Sequence, residues 1–539
     1  MALSRPTAFR GAAHLVTWLP FIYGAASSVW NGWRPVSDTA GIALRSWDVI
    51  YRNGPEVGQA TRLARGVYDL GPLQYWLETV PVHLDPMHGV LWGGALWCMV
   101  ACSLTIEAAW SVSRQFGGLV AAAAILGLLL WIPAITSLPC WNPWFGMMYF
   151  LASFAAAWAV LNGNRRWWPV LVVTASIAAQ AHLMFVVAAA ALVFVTFVAG
   201  LTDTYLTRAS YRWALVGALA GLACWIAPAI QEFTARVGNL TNLLDSQGTA
   251  GPTGGLRFGL KAVAASVQPP PVWWSPLSSI PGLSVIHGRS AAFGVAVLVL
   301  TAAALAVAIR PLRSRWAAAL AGLSLLASVT AVISYSSLPV SNITSINTAV
   351  NSLNYLMAPM YLIGVLAWLT LGSVLVLAGR RVIGRLRARA AAPADGGDGP
   401  VAEPAIPAAR WAVPTTTFAV VMVIALMSVA GIKFGQGSSS NNASMPYIHA
   451  INVASQKIER TLPGQPVELS VVATDSHFRR KVTFGLVYAL KTAGYSPQVA
   501  RTYAWQLGSA YRIHSTKIPI VTVYQNGSDT SVYVAKSGS

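Results

Sequence analysis

The sequence predicts an α-helical polytopic membrane protein of about eleven spans, followed by a small C-terminal α/β domain. Three observations lead there. The 539 residues are 55% hydrophobic and only 10% charged, too few charges to solvate the surface of soluble domains of this length. Apolar runs close to bilayer length, about 20 residues, recur along the chain. Beyond Lys433 the pattern changes to short alternating runs punctuated by turn residues.

The net charge of +19 could indicate a nucleic-acid partner, but its placement argues otherwise. Arg165 and Arg166, Arg208 and Arg212, Arg310, Arg313 and Arg315, and the run from Arg380 to Arg389 fill short gaps between spans. That is the positive-inside pattern, so the charge reports topology and no nucleic acid is expected. Cys98, Cys102, Cys140 and Cys224 lie mostly in apolar segments, with neither metal-ligand spacing nor a disulfide framework, and read as small core residues.

Taken in order, the expected spans are 11–30, 87–109, 118–135, 144–161, 168–181, 183–201, 213–230, 291–309, 316–335, 355–379 and 411–432. Ala25-Ala26-Ser27 is only a weak cleavage site, so the first run reads as a retained helix with its N-terminus in the cytoplasm. Alternating the sides places every Arg-rich gap in the cytoplasm. A transmembrane domain 1–432 then has outer loops 32–86, 231–290 and 336–354 and a cytoplasmic linker 380–410, rich in Ala, Pro and Gly over 390–409. A multi-pass protein of the plasma (inner) membrane is expected, with domain 433–539 outside the cytoplasm.

In that domain 467–474 reads as a buried strand, and Asp475 or Ser476 can cap a helix over 477–492 that stops at Gly494. Strands 518–524 and 531–535 flank Gln525-Asn526-Gly527, a hairpin signal. No nucleophile–base pattern occurs there, which points to an accessory or binding module.

The chemistry concentrates in the first outer loop. Six of the 17 acidic residues lie between Ser37 and Asp85: Asp38, Asp48, Glu56, Asp69, Glu78 and Asp85. Ala40, Ala43, Leu44, Trp47, Ile50 and Tyr51 recur at helical spacing, describing an amphipathic helix at the membrane interface. Asp38 then reads in two ways, as that helix's N-cap or as an acid/base group beside a membrane-bound substrate. Asp48, almost three turns further along, reads as a surface or supporting residue. Gly71-Pro72-Leu73-Gln74-Tyr75-Trp76-Leu77 returns the chain to the membrane before the second span.

An Asp just after the first span, the helix around AGIALRSWDV and the GPLQYWL return resemble the polytopic glycosyltransferases of the GT-C superfamily. The resemblance is closest to the protein-mannosyltransferase and aminoarabinose-transferase branch and its actinobacterial cell-envelope relatives. It covers residues 37–97 well and the rest as topology. Gln180-Ala181-His182 also resembles a motif of the actinobacterial relatives. The chain departs from the pattern at Tyr68-Asp69-Leu70, where relatives carry His or Lys before the Pro-Leu motif.

The resemblance implies a transferase that moves a sugar from a polyprenyl-phosphate donor to a cell-envelope glycan, lipid or protein. No nucleotide-sugar is expected outside the membrane, so a lipid must carry the donor. In an inverting transfer Asp38 would be the general base, with Asp69 as a second carboxylate. The leaving phosphate needs cations. Arg45, Arg52, Arg62 and Arg65 on the first outer loop can supply them, as can Arg236, Arg257 and Lys261 on the second; each can equally contact lipid headgroups. Tyr75, Trp76, Trp273 and Trp274 can stack on sugar rings or belong to an interfacial aromatic belt. His182 can hydrogen-bond the phosphate or the base, or be a core histidine. The first loop has no acid-x-acid pair, so no metal or other cofactor is expected.

Two other classes compete. A flippase or transporter of lipid-linked glycans would place charges and broken helices near the bilayer midplane; only Glu107 lies near a span, and no internal repeat is visible. A non-catalytic envelope scaffold is compatible with the altered second motif.

Overall fold

The computed structural model describes residues 5–51, 54–61, 66–202, 208–249, 251–268, 286, 288–339, 353–390, 445–464, 466–473, 475–513, 518–526 and 529–535. The fold is predominantly helical. Helix α1 spans Arg5–Trp30, α2 Ser37–Asp48, α3 Leu73–Leu84 and α4 Gly89–Trp131. Next come α5 (Asn142–Leu161), α6 (Trp168–Ala181), α7 (Val186–Thr202), α8 (Arg208–Thr234), α9 (Asn239–Thr249) and α10 (Gly255–Val267). The bundle continues with α11 (Ala291–Ile309), α12 (Arg315–Ser336) and α13 (Leu353–Ala390).

Seven helices among the described residues are long and apolar enough to cross a membrane. One of them covers two expected spans. In α4 the backbone leaves helical geometry at Ser113 and Arg114 (φ 45°), dividing the helix between the expected 87–109 and 118–135. The first expected span forms α1 but is not among the seven, and α6, at 14 residues, is too short to cross alone. The span expected at 411–432 and most of the linker lie outside the described residues.

Sequence decides each helix's place in the bundle. Helix α5 (NPWFGMMYFLASFAAAWAVL) is apolar on all sides, and every residue from Asn142 to Val160 is buried. It packs against α4, α6, α7, α12 and α13. Helix α8 instead turns Leu215, Leu219, Leu222 and Ile226 outward, where lipid can cover them. The second expected outer loop is more ordered than its Gly and Pro content indicates, since it contains α9 and α10. Phe258, Ala262 and Val263 of α10 are buried, and the helix packs against α11, α12 and α13.

The C-terminal part comprises α14 (Met445–Thr461), β1 (Pro466–Val472), α15 (Ser476–Thr492), β2 (Ser496–Val499), a short α16 (Arg501–Leu507), β3 (Ile520–Asn526) and β4 (Asp529–Ala535). Its sheet order is β2-β1-β3-β4. β1 pairs in parallel with β2 and β3, whereas β3 and β4 are antiparallel. Asp475 Oδ2 accepts the Phe478 N–H at 3.2 Å, which is the anticipated cap, and Gly494 ends α15's hydrogen-bonded run at φ 87°. The sequence reading lacked α14 and the four-residue β2.

This domain is not a detached appendage. Helix α15 packs against α2, and Tyr488 donates its hydroxyl proton to the Pro86 carbonyl at 2.6 Å. Gly485 allows the approach, because a Cβ there would fall 2.3 Å from Ile451 Cδ1 and 3.2 Å from the Pro35 carbonyl oxygen.

Candidate active site

Five of the six carboxylates can be assigned from their surroundings. Asp85 is a half-buried cap, accepting the Met87 and His88 N–H groups at 3.0 Å each. Glu78 is fully buried, Asp48 is 6% exposed and Asp69 is 4% exposed, so none of these three can meet a substrate without rearrangement. Glu56 is exposed, and no polar partner of it is identified among the described residues. Asp38, with 27% of its side chain exposed, is reachable and also tightly held.

The sequence around Asp38 forces it into the open. Val36 is extended and precedes the helix, and Ser37 takes φ 52°, a left-handed conformation that costs about 1–3 kcal/mol for a residue with a Cβ. Thr39 Oγ1 accepts the Val36 N–H at 3.1 Å and donates to the Val36 carbonyl at 2.8 Å, so Thr39 supplies the polar closure at the start of α2. Asp38 is therefore released from the capping role that was one of its two sequence readings. Its Oδ1 accepts from Arg480 Nη2 at 2.7 Å and its Oδ2 from Trp141 Nε1 at 3.3 Å.

Asp69 supports this corner from beneath. Its Oδ2 accepts from Asn142 Nδ2 at 3.0 Å and its Oδ1 from the Leu183 N–H at 3.1 Å. Burial pushes its carboxyl well above the usual range; those two hydrogen bonds pull it back, and the nearby Asp38 charge pushes it further up. The loop carrying Asp69 is pinned on several sides. Gly58 and Gln59 exchange backbone hydrogen bonds with Asp69, Asn239 grips the Tyr68 backbone at 2.9 and 3.1 Å, and the Tyr68 hydroxyl donates to the Trp505 carbonyl.

Two sequence motifs meet at this loop. Gln180 Oε1 accepts the Leu73 N–H at 3.3 Å while its Nε2 donates to the Cys224 carbonyl at 2.7 Å. Gly71 is what lets GPLQYW close on Gln180-Ala181-His182, because a Cβ there would sit 2.1 Å from Gln180 Oε1. His182 is buried, its Nδ1 accepts the Met184 N–H at 3.3 Å, and burial lowers its pKa to about 4. It begins the turn before α7. Tyr75 is buried and donates to Gln59 Oε1 at 3.3 Å, whereas Trp76 is 39% exposed.

Arg45 is engaged elsewhere, donating from Nη1 to Asp48 Oδ2 at 3.5 Å and to the Leu507 carbonyl at 3.4 Å. Asp48 follows the supporting rather than the surface half of its reading, for Tyr511 donates to both of its oxygens at 2.9 and 3.0 Å. Arg52, Arg62, Arg65, Trp273 and Trp274 lie outside the described residues. No group of three or more His, Cys, Asp or Glu side chains able to hold a metal ion occurs among the described residues.

Sequence reasoning missed Arg480, Trp141, Asn142 and Asn239. The Arg479-Arg480-Lys481 run was visible, but it sits in a segment read as accessory. Trp141 and Asn142 precede Pro143 at a helix start, and nothing local connects them to residues 38 and 69.

The described chain is a helical bundle with membrane-length spans whose first long connection carries α2, against which the C-terminal α/β domain packs. Among solved structures the chain is similar to ArnT from Cupriavidus metallidurans bound to undecaprenyl phosphate, with 14% identity and a TM-score of 0.50 over 98% of this chain and 97% of that one. The apo state of the same protein gives 14% identity and 0.46 over 96% and 92%. At this identity the likeness is one of fold. No protein-family model and no curated protein matches the chain.

Proposed function

We propose that the protein is a membrane glycosyltransferase that moves a sugar from a polyprenyl-phosphate donor to a cell-envelope glycan, lipid or protein on the outer face, with inversion and with Asp38 as general base. The observation that carries this reading is Asp38 itself: a partly exposed carboxylate on a strained turn, oriented by Trp141 and Arg480. In this chain that position is the entry to the first long connection, directly after α1. The undecaprenyl phosphate bound to ArnT supports a lipid-phosphate partner. The Arg-rich gaps between spans support an outward site and an inner-membrane location.

The base takes the acceptor's hydroxyl proton as its oxygen attacks the anomeric carbon, and the polyprenyl phosphate departs. In this reading Asp69 keeps the loop in place and does not exchange protons with substrate. No divalent ion takes part, so chelation leaves transfer unchanged.

Full-length protein in phosphatidylcholine nanodiscs, supplied with polyprenyl-phosphate arabinose or mannose and envelope acceptors, tests the reading. Asp38→Asn is expected to lower transfer by about 10²- to 10⁴-fold, the usual contribution of a positioned general base. Unchanged transfer removes Asp38 as the base. Passage of intact lipid-linked sugar across liposomes with no transfer favours the flippase.

A further inference from the structure

We propose that Arg480, on the C-terminal domain, is the cation that receives the donor's phosphate, and that it is traded between two anions: Asp38 in the free protein and the lipid phosphate in the donor complex. This role rests on the glycosyl-transfer reading above and adds a residue, and a domain, to its site.

The geometry carries it as follows. Arg480 Nη2 lies 2.7 Å from Asp38 Oδ1, and both side chains are about a quarter exposed (25% and 27%), so the pair borders open space. The guanidinium carbon sits 5.3 Å over the Phe484 ring, which braces its plane. Its Nε–H is enclosed and has no acceptor among the described residues. A guanidinium offers donors in a rigid fork that matches phosphate oxygens two at a time. Here Nη2 holds the carboxylate, which leaves most of the guanidinium's five N–H donors to be offered elsewhere. Arg45, the cation of α2, is already committed to Asp48 and to the Leu507 carbonyl.

Each Asp38 oxygen already holds one donor, Oδ1 the charged Arg480 and Oδ2 the neutral Trp141, so the Oδ1 lone pair on the Arg480 side is engaged in this state. A phosphate arriving on Arg480 competes for the same N–H groups and frees Oδ1. The reaction then balances. The acceptor oxygen bonds to the anomeric carbon as the bond from that carbon to the phosphate oxygen breaks. The electron pair stays on the phosphate, which goes from a singly charged diester to a monoester with one more negative charge. The hydroxyl proton passes to Asp38 Oδ1. Arg480 offsets the charge the phosphate gains, and the base is bared only when a donor is present.

Binding of undecaprenyl phosphate to full-length protein in phosphatidylcholine nanodiscs separates the outcomes. Arg480→Ala is expected to weaken binding roughly 10- to 100-fold, the value of one charge-assisted contact, and Arg480→Lys to restore part of it. Asp38→Asn is expected to bind as tightly as wild type or tighter, because the competing carboxylate has gone. Equal binding by Arg480→Ala and wild type overturns the exchange, as does equal weakening by Asp38→Asn.

Tyr511→Phe loosens the same domain seam ten residues along α2, at Asp48. A comparable loss of phosphate binding there would reduce Arg480 to a structural clasp. Inorganic phosphate, or phosphatidylglycerol added to the nanodiscs, displacing undecaprenyl phosphate at equal concentration would show a general anion contact and also overturn the donor role. The two readings fail separately. Transfer that survives Asp38→Asn removes the base, whereas wild-type binding by Arg480→Ala alongside an inactive Asp38→Asn removes only the exchange.

Discussion

Tyr511 donates to both carboxylate oxygens of Asp48, at 2.9 and 3.0 Å, joining the C-terminal domain to α2 by one shared proton. Asp48 is 6% exposed and Tyr511 3% exposed, so the contact is largely shielded from bulk solvent. Burial raises the Asp48 carboxyl, and Arg45 and Tyr511 offset part of that cost. The pair therefore clamps the domain at one end of α2 while Asp38 and Arg480 meet at the other.

Removing the clamp should loosen the domain without disturbing the bundle. Tyr511→Phe leaves a buried carboxylate short of its donor, a loss of about 1–3 kcal/mol. The expected outcome is faster hydrogen exchange in α14–α16 and on α2, with unchanged exchange in α5. Equal protection of α2 in variant and wild type would show that Tyr511 does not hold the seam.

Gly71 tests the contact between the two motifs. Gly71→Ala places a methyl 2.1 Å from Gln180 Oε1 and 2.4 Å from its Cδ, in a loop with no room to shift. Gln180 must move and give up the Leu73 and Cys224 contacts, for a cost of about 2 kcal/mol or more. Gly127→Ala, where no heavy atom lies within 4 Å of the new Cβ, is expected to be neutral or stabilising. Melting of detergent-purified variants by fluorescence-detected size exclusion compares them, and parallel behaviour of the two would contradict the packing argument.

These contacts show what was legible beforehand. Hydropathy carries long-range information in local form, so most of the apolar runs and the β1–α15–β3–β4 order of the tail could be read off the chain. Asp38 was singled out because the motif around it is contiguous. Arg480 was not, since 442 positions separate it from Asp38 and no local pattern encodes that pairing. Asn142 and Asn239 were invisible for the same reason: each is an ordinary helix-start residue until tertiary contact brings it to the Asp69 loop. Of the two readings of Asp48, surface or supporting, the structure fits the second, because a second domain covers a helix face that would otherwise turn its carboxylate to water.

Glu78 makes a different kind of prediction. Both of its oxygens are buried and neither has a hydrogen-bond partner among the described residues. Burial alone raises its pKa well above the ordinary 4.5. A raised folded value means that Glu78 costs least below pH 4.5, and stability falls as pH rises through the folded value. Glu78→Met keeps similar volume and removes the charge, so it should raise the melting temperature at pH 7.5 and narrow the gap from wild type as pH falls toward 4.5. A Met variant that melts lower than wild type at pH 7.5 would mean that Glu78 has a partner when the protein is at work.

His182 has the opposite sign. Its Nδ1 accepts the Met184 N–H and so must be unprotonated, and burial lowers its pKa from 6.5 to about 4. The stability that comes from keeping the ring neutral is complete above pH 6.5 and is lost as pH falls through the window down to about 4. Protonation would break the cap of the turn into α7 and place a charge beside the Leu183 N–H that holds Asp69, so acid should loosen the Asp69 loop as well. His182→Asn retains a capping oxygen but does not titrate. Across pH 6.5 to 4 its melting temperature is expected to fall less steeply than that of wild type, with the two curves meeting near neutrality. Parallel curves through the whole window would show that another group carries the acid sensitivity and that the His182 ring is not its source.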